Sequence, residues 1–159
     1  MASTSTIKDF LILYGTQTGT AEDLAEQLGE ELSNNNATHR IENMFDISLD
    51  VVKEYKRIFI LVSTWGDGEP PDDAEGFHQE LSEAEAGSLE GTEFAVFGLG
   101  DTGYEQFCQC GIEFDRFLEA AGSKRLIQRV DADIDFDDDF DSWISQIQTK
   151  VLQPNLLSV

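Results

Sequence analysis

Short apolar runs alternate along the chain with segments whose apolar residues recur at helical spacing. Residues 9–14 (DFLILY), 58–62 (IFILV), 92–97 (TEFAVF) and 126–130 (LIQRV) form the apolar runs. Strands that are apolar without alternation are typical of a parallel sheet that is covered on both faces. The more polar residues 38–43 (THRIEN) predict a further strand near an edge of that sheet.

Between the predicted strands, apolar positions three and four residues apart predict amphipathic helices. These positions are Ala21, Leu24, Ala25, Leu28 and Leu32; Phe77, Leu81 and Ala84; Phe107, Gly111, Phe114, Leu118 and Ala121; and Phe140, Trp143, Ile144, Ile147 and Val151. Gly122 is the predicted C-cap of the third of these helices, and residues 47–55 hold at most a short helix. Alternating strands and helices predict an α/β fold, in which right-handed crossovers connect a parallel sheet with helices on both faces.

The length of 159 residues predicts one domain, residues 1–159. A chain of this size buries roughly 70% of its unfolded surface, which is enough for a hydrophobic core. No apolar run approaches the ~18 residues of a membrane span, and the N-terminal residues lack the basic and apolar segments of a secretory signal. We therefore expect a cytoplasmic monomer that is not attached to a membrane.

Acidic residues dominate the charge, with 32 Asp and Glu against 10 Lys and Arg and a net charge of −22. No Lys or Arg occurs between Arg57 and Arg116, so the acidity is concentrated around and after the third predicted strand. Such a surface repels nucleic acid and anionic membranes and attracts basic partners. Two explanations stay open: a docking surface for a basic protein, or an adaptation for solubility or high salt.

The loop after the first strand, residues 15–20 (GTQTGT), is rich in hydroxyl groups and directly precedes a helix. Free backbone amides and the positive end of the helix dipole make such a position an anion site. The loop lacks the three glycines of the dinucleotide fingerprint and the Gly-Lys-Ser/Thr of the ATP-binding loop. It therefore predicts a phosphate monoester as ligand, and the alternative is that Thr16 and Thr18 serve only as helix caps.

Two further strands end in loops that each carry one aromatic residue. The third strand leads into Ser63, Thr64, Trp65 and a Gly-Asp-Gly turn, and the fourth leads into a glycine-rich loop with Tyr104. If the strand order is 2-1-3-4-5, the loops after strands 1, 3 and 4 meet where the order reverses, which is where open α/β sheets bind ligands. A slot between Trp65 and Tyr104 suits a flat, electron-poor ring whose phosphate lies in the first loop, although burial in the core is the ordinary alternative for a Trp. Flavin mononucleotide (FMN) has the shape that this slot requires.

The remaining candidates for chemistry do not predict a metal site. Cys108 and Cys110 are the only cysteines, and residues two apart on a helix point about 200° apart, so free thiols are expected. Residues 131–141 lack the glycine and the terminal glutamate of a calcium loop. His78 has no nucleophile motif beside it, and we expect it at the surface.

Three motifs resemble those of flavodoxins and of the flavodoxin-like modules of diflavin reductases: TQTGTAE after strand 1, STWGDGEPPD after strand 3 and GLGDTGYEQFC after strand 4. They occur in the order and spacing of that family over nearly the whole chain. The resemblance implies a flavodoxin-like three-layer sandwich, with a five-stranded parallel sheet in the order 2-1-3-4-5 and helices on both faces. Because the fifth strand is predicted to run uninterrupted from Leu126, the chain is similar to the short-chain type.

The resemblance also implies which residues bind FMN. It assigns the phosphate to the first loop, the ribityl and phosphate region to the hydroxyls that end strand 3, and the ring to two aromatic residues and nearby backbone groups. The residues so implied are Thr16, Gln17, Thr18, Gly19 and Thr20; Ser63 and Thr64; Trp65 and Tyr104; Asp67, Asp101, Gln106 and Cys108; and Gly66, Gly68, Gly98 and Phe107. Gly66 is further implied to turn its carbonyl toward the flavin N5 on one-electron reduction, which glycine permits at low cost.

The implied function is one-electron transfer at low potential, through the semiquinone/hydroquinone couple of non-covalent FMN and without a catalytic site of the chain's own. Carboxylates such as Asp67, Glu69 and Asp101 disfavour a second negative charge on the ring, since unit charges ~8 Å apart interact by about 2 kcal/mol at an effective dielectric near 20. The expected partners are basic-surfaced redox proteins, such as a ferredoxin/flavodoxin-NADP reductase.

Other functions stay open from the sequence. One alternative is that the chain is the FMN module of a diflavin-type reductase system. Another is an FMN-dependent quinone reductase, which needs room for a nicotinamide that aromatic residues on both ring faces would occupy. A receiver domain needs paired acids after strand 1 and a lysine after strand 5, where this chain has Gly15-Thr16 and Asp131-Ala132. A flavin-free binding module is the last alternative.

Overall fold

Residues 8–15, 19–64, 70–100 and 108–152 are described in the computed structural model of the chain. The strands are β1 (Lys8–Gly15), β2 (His39–Asn43), β3 (Tyr55–Ser63), β4 (Glu93–Leu99), β5 (Lys124–Arg125) and β6 (Val130–Ala132). The helices are α1 (Thr20–Asn34), α2 (Leu49–Val52), α3 (Glu75–Ser82), α4 (Gln109–Ala120) and α5 (Asp137–Ile147). Short 3₁₀ turns cover Met44–Asp46 and Asp72–Ala74, and a π-helical turn, Gln148–Leu152, follows α5.

The described strands form one parallel sheet in the order β2-β1-β3-β4, and both β5 and β6 pair with the outer side of β4. This confirms the predicted α/β class and the order 2-1-3-4-5. The strand order reverses between β1 and β3. The chain runs from β1 to β2 on one side of β1, and then to β3, β4 and the last strands on the other side. The carboxyl ends of β1, β3 and β4 consequently lie next to each other.

The predicted fifth strand is wrong in its extent, because it consists of two short strands with residues 126–129 between them. Phe94 of β4 pairs with Arg125, and Phe97 pairs with Val130, so five residues of this segment cover the length of three in β4. The two extra residues form a bulge, which an edge strand tolerates because its outer side has no neighbouring strand. The Leu126 amide still donates to the Phe94 carbonyl at 2.8 Å, so the strand breaks only after this bond.

Two hydrophobic layers cover the sheet, which confirms the prediction of helices on both faces. Ile58 and Ile60 of β3 belong to the layer that contains α2, α3 and α4. Phe59 and Leu61, which alternate with them, belong to the layer that contains α1 and α5. All four side chains are fully buried. Burial on both sides explains why β3 is apolar at successive positions.

The predicted helical stripes face the core wherever the structure describes them, and Ala84, Ile144 and Val151 at their margins are partly buried. In α1 the buried set contains every predicted position, and in α5 Trp143 is fully buried with its ring centroid 5.3 Å from that of Phe97. Gly122 has φ of +102° and follows α4, whose end is closed by bonds from Gly122 N to Glu119 O and from Ser123 N to Leu118 O. This double closure is the Schellman motif, which favours glycine at that position. None of the helices within the described ranges is long and apolar enough to cross a membrane.

Candidate cofactor-binding site

The loops that follow β1, β3 and β4 begin side by side at one edge of the sheet. Gly15 at the end of β1 pairs with Val62, and Ser63 at the end of β3 pairs with Leu99. Leu99 in turn pairs with Ala132 at the end of β6. Three of the predicted binding segments therefore start within neighbouring strands, as the sequence predicts.

Many predicted site residues lie outside the described residues, and their roles stay predictions. They are Thr16, Gln17 and Thr18; Trp65, Gly66, Asp67 and Gly68; and Asp101, Tyr104, Gln106 and Phe107. Among the described residues are Gly19, Thr20, Ser63, Thr64, Gly98 and Cys108, which include the last residues before or the first residues after each of these segments.

Where the sequence predicts the phosphate, α1 begins immediately after a left-handed glycine. Gly19 has φ of +94° and is the N-cap of α1, which starts at Thr20. The first turn of a helix exposes backbone amides that have no acceptor within the helix, and the helix dipole adds positive potential there. The described part of the loop therefore fits the predicted phosphate site.

A negative side chain in the same first turn is held by β1. The Tyr14 hydroxyl donates to a carboxylate oxygen of Glu22 at 3.3 Å. Partial burial, and then the charge of Glu22, raise the pKa of Tyr14, so this hydroxyl keeps its proton and remains a donor. The bond draws the Glu22 carboxylate toward β1, which sequence analysis did not predict.

Ser63 supplies the clearest observation that the described residues fit a ligand. Its hydroxyl oxygen is buried and has no hydrogen-bond partner among the residues that the structure describes, and it lies at the last position of β3. An unsatisfied buried hydroxyl costs roughly 1–3 kcal/mol. A phosphate or ribityl oxygen of FMN at this edge of the sheet would provide the missing partner, which agrees with the role predicted for Ser63.

Thr64 makes contacts with the protein that sequence analysis did not predict. Its amide donates to the Leu99 carbonyl at 2.9 Å, and its hydroxyl oxygen accepts from the Cys110 amide at 3.0 Å. Thr64 was predicted from the family resemblance to lie near the ribityl and phosphate region. The structure adds that its hydroxyl oxygen already accepts a hydrogen bond from the first turn of α4. The sequence carries no signal for this contact, because it joins residues 46 positions apart.

Cys108 begins α4 in an unusual backbone conformation. It is the N-cap with φ of +53°, one of the two non-glycine residues with positive φ in the described ranges. Its thiol donates to the Ala132 carbonyl at 3.6 Å. Burial, and then the charge of Asp131, raise the pKa of Cys108 to about 12, so the thiol is protonated at neutral pH. Both cysteines are free and buried, which confirms the prediction of free thiols.

Gly98 serves the packing of β4 against α4. A Cβ atom built on the facing Gly111 would lie 3.2 Å from the Gly98 Cα, and one built on Gly98 would lie 3.6 Å from the Gly111 Cα. Two glycines face each other because the helix approaches the strand closely at this point. This approach brings the N-terminus of α4 toward the ends of β3 and β4. The predicted contact of Gly98 with a cofactor stays a prediction.

His78 is largely buried between α3 and α4, which corrects the sequence-based expectation of a surface residue. Its Nε2 atom lies 2.8 Å from a carboxylate oxygen of Glu113, and its ring packs edge-on against Phe114 and Phe117. Only 18% of its side chain is exposed. His78 thus connects α3 to α4 on the face of the sheet away from α1, and its role is structural.

The family comparison agrees with this geometry. The flavodoxin family model matches residues 12–143, which include the second half of β1, all of β2 to β6 and all of α1 to α4. The chain therefore belongs to the flavodoxin family. FMN is the cofactor of this family, and the positions of Gly19 and Ser63 fit its phosphate-bearing end.

The chain is also similar to longer flavoproteins. It is 42% identical over 140 residues to the sulfite reductase [NADPH] flavoprotein alpha-component of Bacillus subtilis, with coverage of 88% of this chain and 23% of that protein. The corresponding protein of Zymomonas mobilis is 39% identical over 147 residues, with coverage of 92% and 24%. The chain thus spans about a quarter of the length of the curated relatives it matches.

Solved structures share the fold. A flavodoxin of Streptococcus pneumonia TIGR4 superposes with a TM-score of 0.80 at 23% identity, over 90% of this chain and 97% of that chain. Oxidised flavodoxin 2 of Bacillus cereus superposes with a TM-score of 0.75 at 28% identity, over 89% and 99% of the two chains. The flavodoxin-like fold of this chain is thereby established.

Proposed function

We propose that the chain is a one-electron carrier that holds FMN non-covalently at the carboxyl edge of its sheet and passes electrons between two redox proteins. FMN supplies the one-electron chemistry when it is bound. The observation that carries the proposal is the buried Ser63 hydroxyl, which has no partner within the described ranges and lies where three strand ends meet beside the N-terminus of α1. The protein's part is to bind the phosphate, orient the ring and limit the negative charge that the ring gains.

The partner of such a carrier is proposed to be the NADPH-oxidising part of a diflavin-type reductase system. Supporting this form of the proposal, the sulfite reductase flavoproteins reach 42% identity, whereas the flavodoxin structures named above reach 28% or less. Those flavoproteins are about four times as long as the region they share with this chain. In this form the flavodoxin-like domain accepts electrons from the NADPH-oxidising module and delivers them to an acceptor, with no catalytic site of its own.

Two exposed apolar side chains lie at the carboxyl edge of the sheet. They support the proposal that this edge is the docking face. Among the described residues, Phe45 and Ile134 are large apolar side chains that are 78% and 70% exposed. Phe45 follows β2 and its amide donates to the Asn43 side chain at 2.7 Å, and Ile134 follows β6 and its amide donates to the Asp133 side chain at 2.8 Å. Each is thus held in a turn at the carboxyl end of an outer strand.

The spacing of these two residues suits a single partner. Four strand spacings of ~4.8 Å separate β2 from β6, so the two turns lie roughly 19 Å apart across the site. A standard interface of about 800 Å² per partner can cover that distance. Because the whole chain carries a net charge of −22, a complementary partner surface has apolar contacts at these two positions and basic residues around them.

Stopped-flow electron transfer from a basic NADPH-dependent reductase domain tests this proposal. We expect rapid reduction of the FMN-loaded chain, at a rate that falls as NaCl is raised from about 20 to about 500 mM, because this change shortens the Debye length about fivefold. Phe45→Ala should weaken the complex and leave the salt dependence unchanged, since it removes apolar contact and no charge. NADPH oxidation by the chain alone, or a rate independent of salt, would count against a carrier that docks through its acidic face.

A further inference from the structure

The first turn of α4 takes its cap from a residue 46 positions earlier in the chain. The Cys110 amide donates to the Thr64 hydroxyl oxygen at 3.0 Å. Amides in the first helical turn have no acceptor within the helix. The N-cap Cys108 makes no side-chain bond to this turn, and its thiol is directed to the Ala132 carbonyl instead. Thr64 therefore performs the capping function that the N-cap residue itself does not.

Thr64 is in turn fixed by the sheet. Its amide donates to the Leu99 carbonyl at 2.9 Å, which continues the β3–β4 pairing one residue past the end of β3. The Gly100 amide donates to the Ala132 carbonyl at 2.9 Å and extends the β4–β6 pairing in the same way. Thr64, the end of β4, the end of β6 and the start of α4 are thus connected by a continuous series of hydrogen bonds.

This connection lies between two segments with predicted ring-binding residues. The segment after β3 begins directly after Thr64, and the segment after β4 ends at Cys108, two residues before the amide that Thr64 accepts from. The bond between Thr64 and Cys110 therefore fixes the residue before the segment that follows β3 relative to the residues after the segment that follows β4. Cys108, with φ of +53°, holds a strained backbone at that end.

We propose that Thr64 is a positioning residue for the cofactor ring. Its hydroxyl oxygen fixes Thr64, which precedes one predicted ring-binding segment, relative to the first turn of α4, which follows the other, and Ser63, one position earlier, contacts the cofactor itself. This role rests on the proposed function and gives the two adjacent hydroxyls different tasks. The Ser63 oxygen has no partner in the described part of the chain, whereas the Thr64 oxygen accepts from the Cys110 amide. Adjacent strand residues point to opposite sides, which is why neighbouring hydroxyls differ in this way.

Three variants separate the two roles. Thr64→Val keeps the shape of the side chain and removes the acceptor, Thr64→Ser keeps the acceptor, and Ser63→Ala removes the neighbouring hydroxyl. In the FMN-free protein, amide hydrogen exchange measured by NMR should be about tenfold faster at Cys110 in Thr64→Val, as expected for the loss of a helix cap. Exchange at Phe114, deeper in α4, serves as the internal control. Thr64→Ser and Ser63→Ala should leave exchange at Cys110 unchanged.

FMN binding is then measured on the same proteins by fluorescence quenching. We expect Thr64→Val and Ser63→Ala each to weaken binding by about tenfold, and Thr64→Ser to remain within about twofold of the unaltered chain. The visible absorption bands of bound FMN, which report the environment of the ring, should shift in Thr64→Val and return in Thr64→Ser. Ser63→Ala should leave them in place, because it acts at the other end of the cofactor.

Two results would overturn the positioning role. One is unchanged exchange at Cys110 in Thr64→Val, which would mean that the cap bond is absent in solution. The other is faster exchange at Cys110 with unaltered FMN affinity and spectrum, which would make the bond a purely structural cap. Failure of the unaltered chain to bind FMN is a distinct outcome, since it would refute the proposed function and the positioning role together.

Discussion

Gly15, the last residue of β1, occupies a position where no side chain fits. A Cβ atom there would lie 2.7 Å from the Ala74 Cβ, and 3.3 Å from both the Met44 sulfur and the Val62 Cγ2. These neighbours belong to the 3₁₀ turns after β2 and before α3 and to β3, so the contact joins three elements. Gly15→Ala should destabilise the FMN-free protein by about 1–3 kcal/mol, as overpacking does. The free energy of unfolding in urea measures this effect.

Gly76 is the matched control for Gly15. It lies within α3, and a Cβ atom built on it would meet nothing within 4 Å. Gly76→Ala should cause no loss of stability and a gain of up to about 1 kcal/mol, because alanine favours the helix. If the two alanine variants had equal stabilities, the close packing of Gly15 would be refuted.

The buried thiols predict how stability depends on alkaline pH. Burial raises the pKa of Cys108 from 9.0 to about 12 and raises the pKa of Cys110 as well. Above pH 9 the unfolded chain loses these protons while the folded chain keeps them, so the free energy of unfolding falls as pH rises from 9 toward 12. Each thiol contributes a slope of about 1.4 kcal/mol per pH unit in that window.

Urea unfolding under reducing conditions at several values between pH 8 and 10.5 measures this slope. The double variant Cys108→Ala/Cys110→Ala should give a shallower slope, whatever its stability at neutral pH. A slope equal to that of the unaltered chain would mean that the thiols ionise equally in both states.

At the scale of single residues, sequence could predict the hydroxyl pair but not its division of roles. Ser63 and Thr64 are adjacent hydroxyls at the end of an apolar run, and nothing in the sequence distinguishes them. Their roles differ because α4 packs close to one of them, and that approach depends on the facing Gly98 and Gly111. The expectation that His78 lies at the surface is wrong for a similar reason, since its partner Glu113 is 35 residues away in sequence.

At the scale of elements, a buried ion pair joins α4 to the split edge strand. The carboxylate of Asp115 is only 5% exposed and accepts from the Arg125 guanidinium through both oxygens, with Nε to Oδ2 at 3.1 Å. Arg129, on the other side of the bulge, has Nη1 3.8 Å from Oδ1 of the same carboxylate. Asp115 thus anchors both ends of residues 126–129 to the helix.

Asp115→Asn should therefore destabilise the protein by about 1.5–3 kcal/mol, since it weakens charge-assisted hydrogen bonds at a buried site. Asp50→Asn is the control, because Asp50 is 94% exposed and lies 3.9 Å from Lys53 on the surface. An exposed pair of this kind contributes less than about 0.5 kcal/mol. Urea unfolding measures the stability of both variants. Similar losses of stability in the two would argue against an anchoring role for Asp115.

The elements themselves were largely predictable, apart from this edge. The stripes of α1, α4 and α5 follow from helical periodicity, and β1, β3 and β4 follow from apolar runs buried on both faces. The bulge was not predictable, because the run LIQRV is compatible with one continuous strand. Its interruption depends on pairing with β4 and on contacts to Asp115, which are 10 or more residues distant in sequence.

At the scale of the whole molecule, the net charge of −22 favours association with basic partners and does not determine the fold. The three loops could be placed together from the sequence because strand order fixes which carboxyl ends are neighbours. What could not be predicted is how the chain holds them there: the Thr64 cap on α4, the close glycines, and the bonds from Thr64 and Gly100 to the ends of β4 and β6.

An anaerobic redox titration of the FMN-loaded protein, followed by visible absorption, distinguishes a one-electron carrier from a two-electron flavoprotein. We expect one FMN per chain and two separate one-electron steps. The second should lie at lower potential, because the acidic molecule opposes the addition of negative charge to the ring. A single two-electron step, or a chain that retains no FMN, would contradict the proposal that this protein is a one-electron carrier.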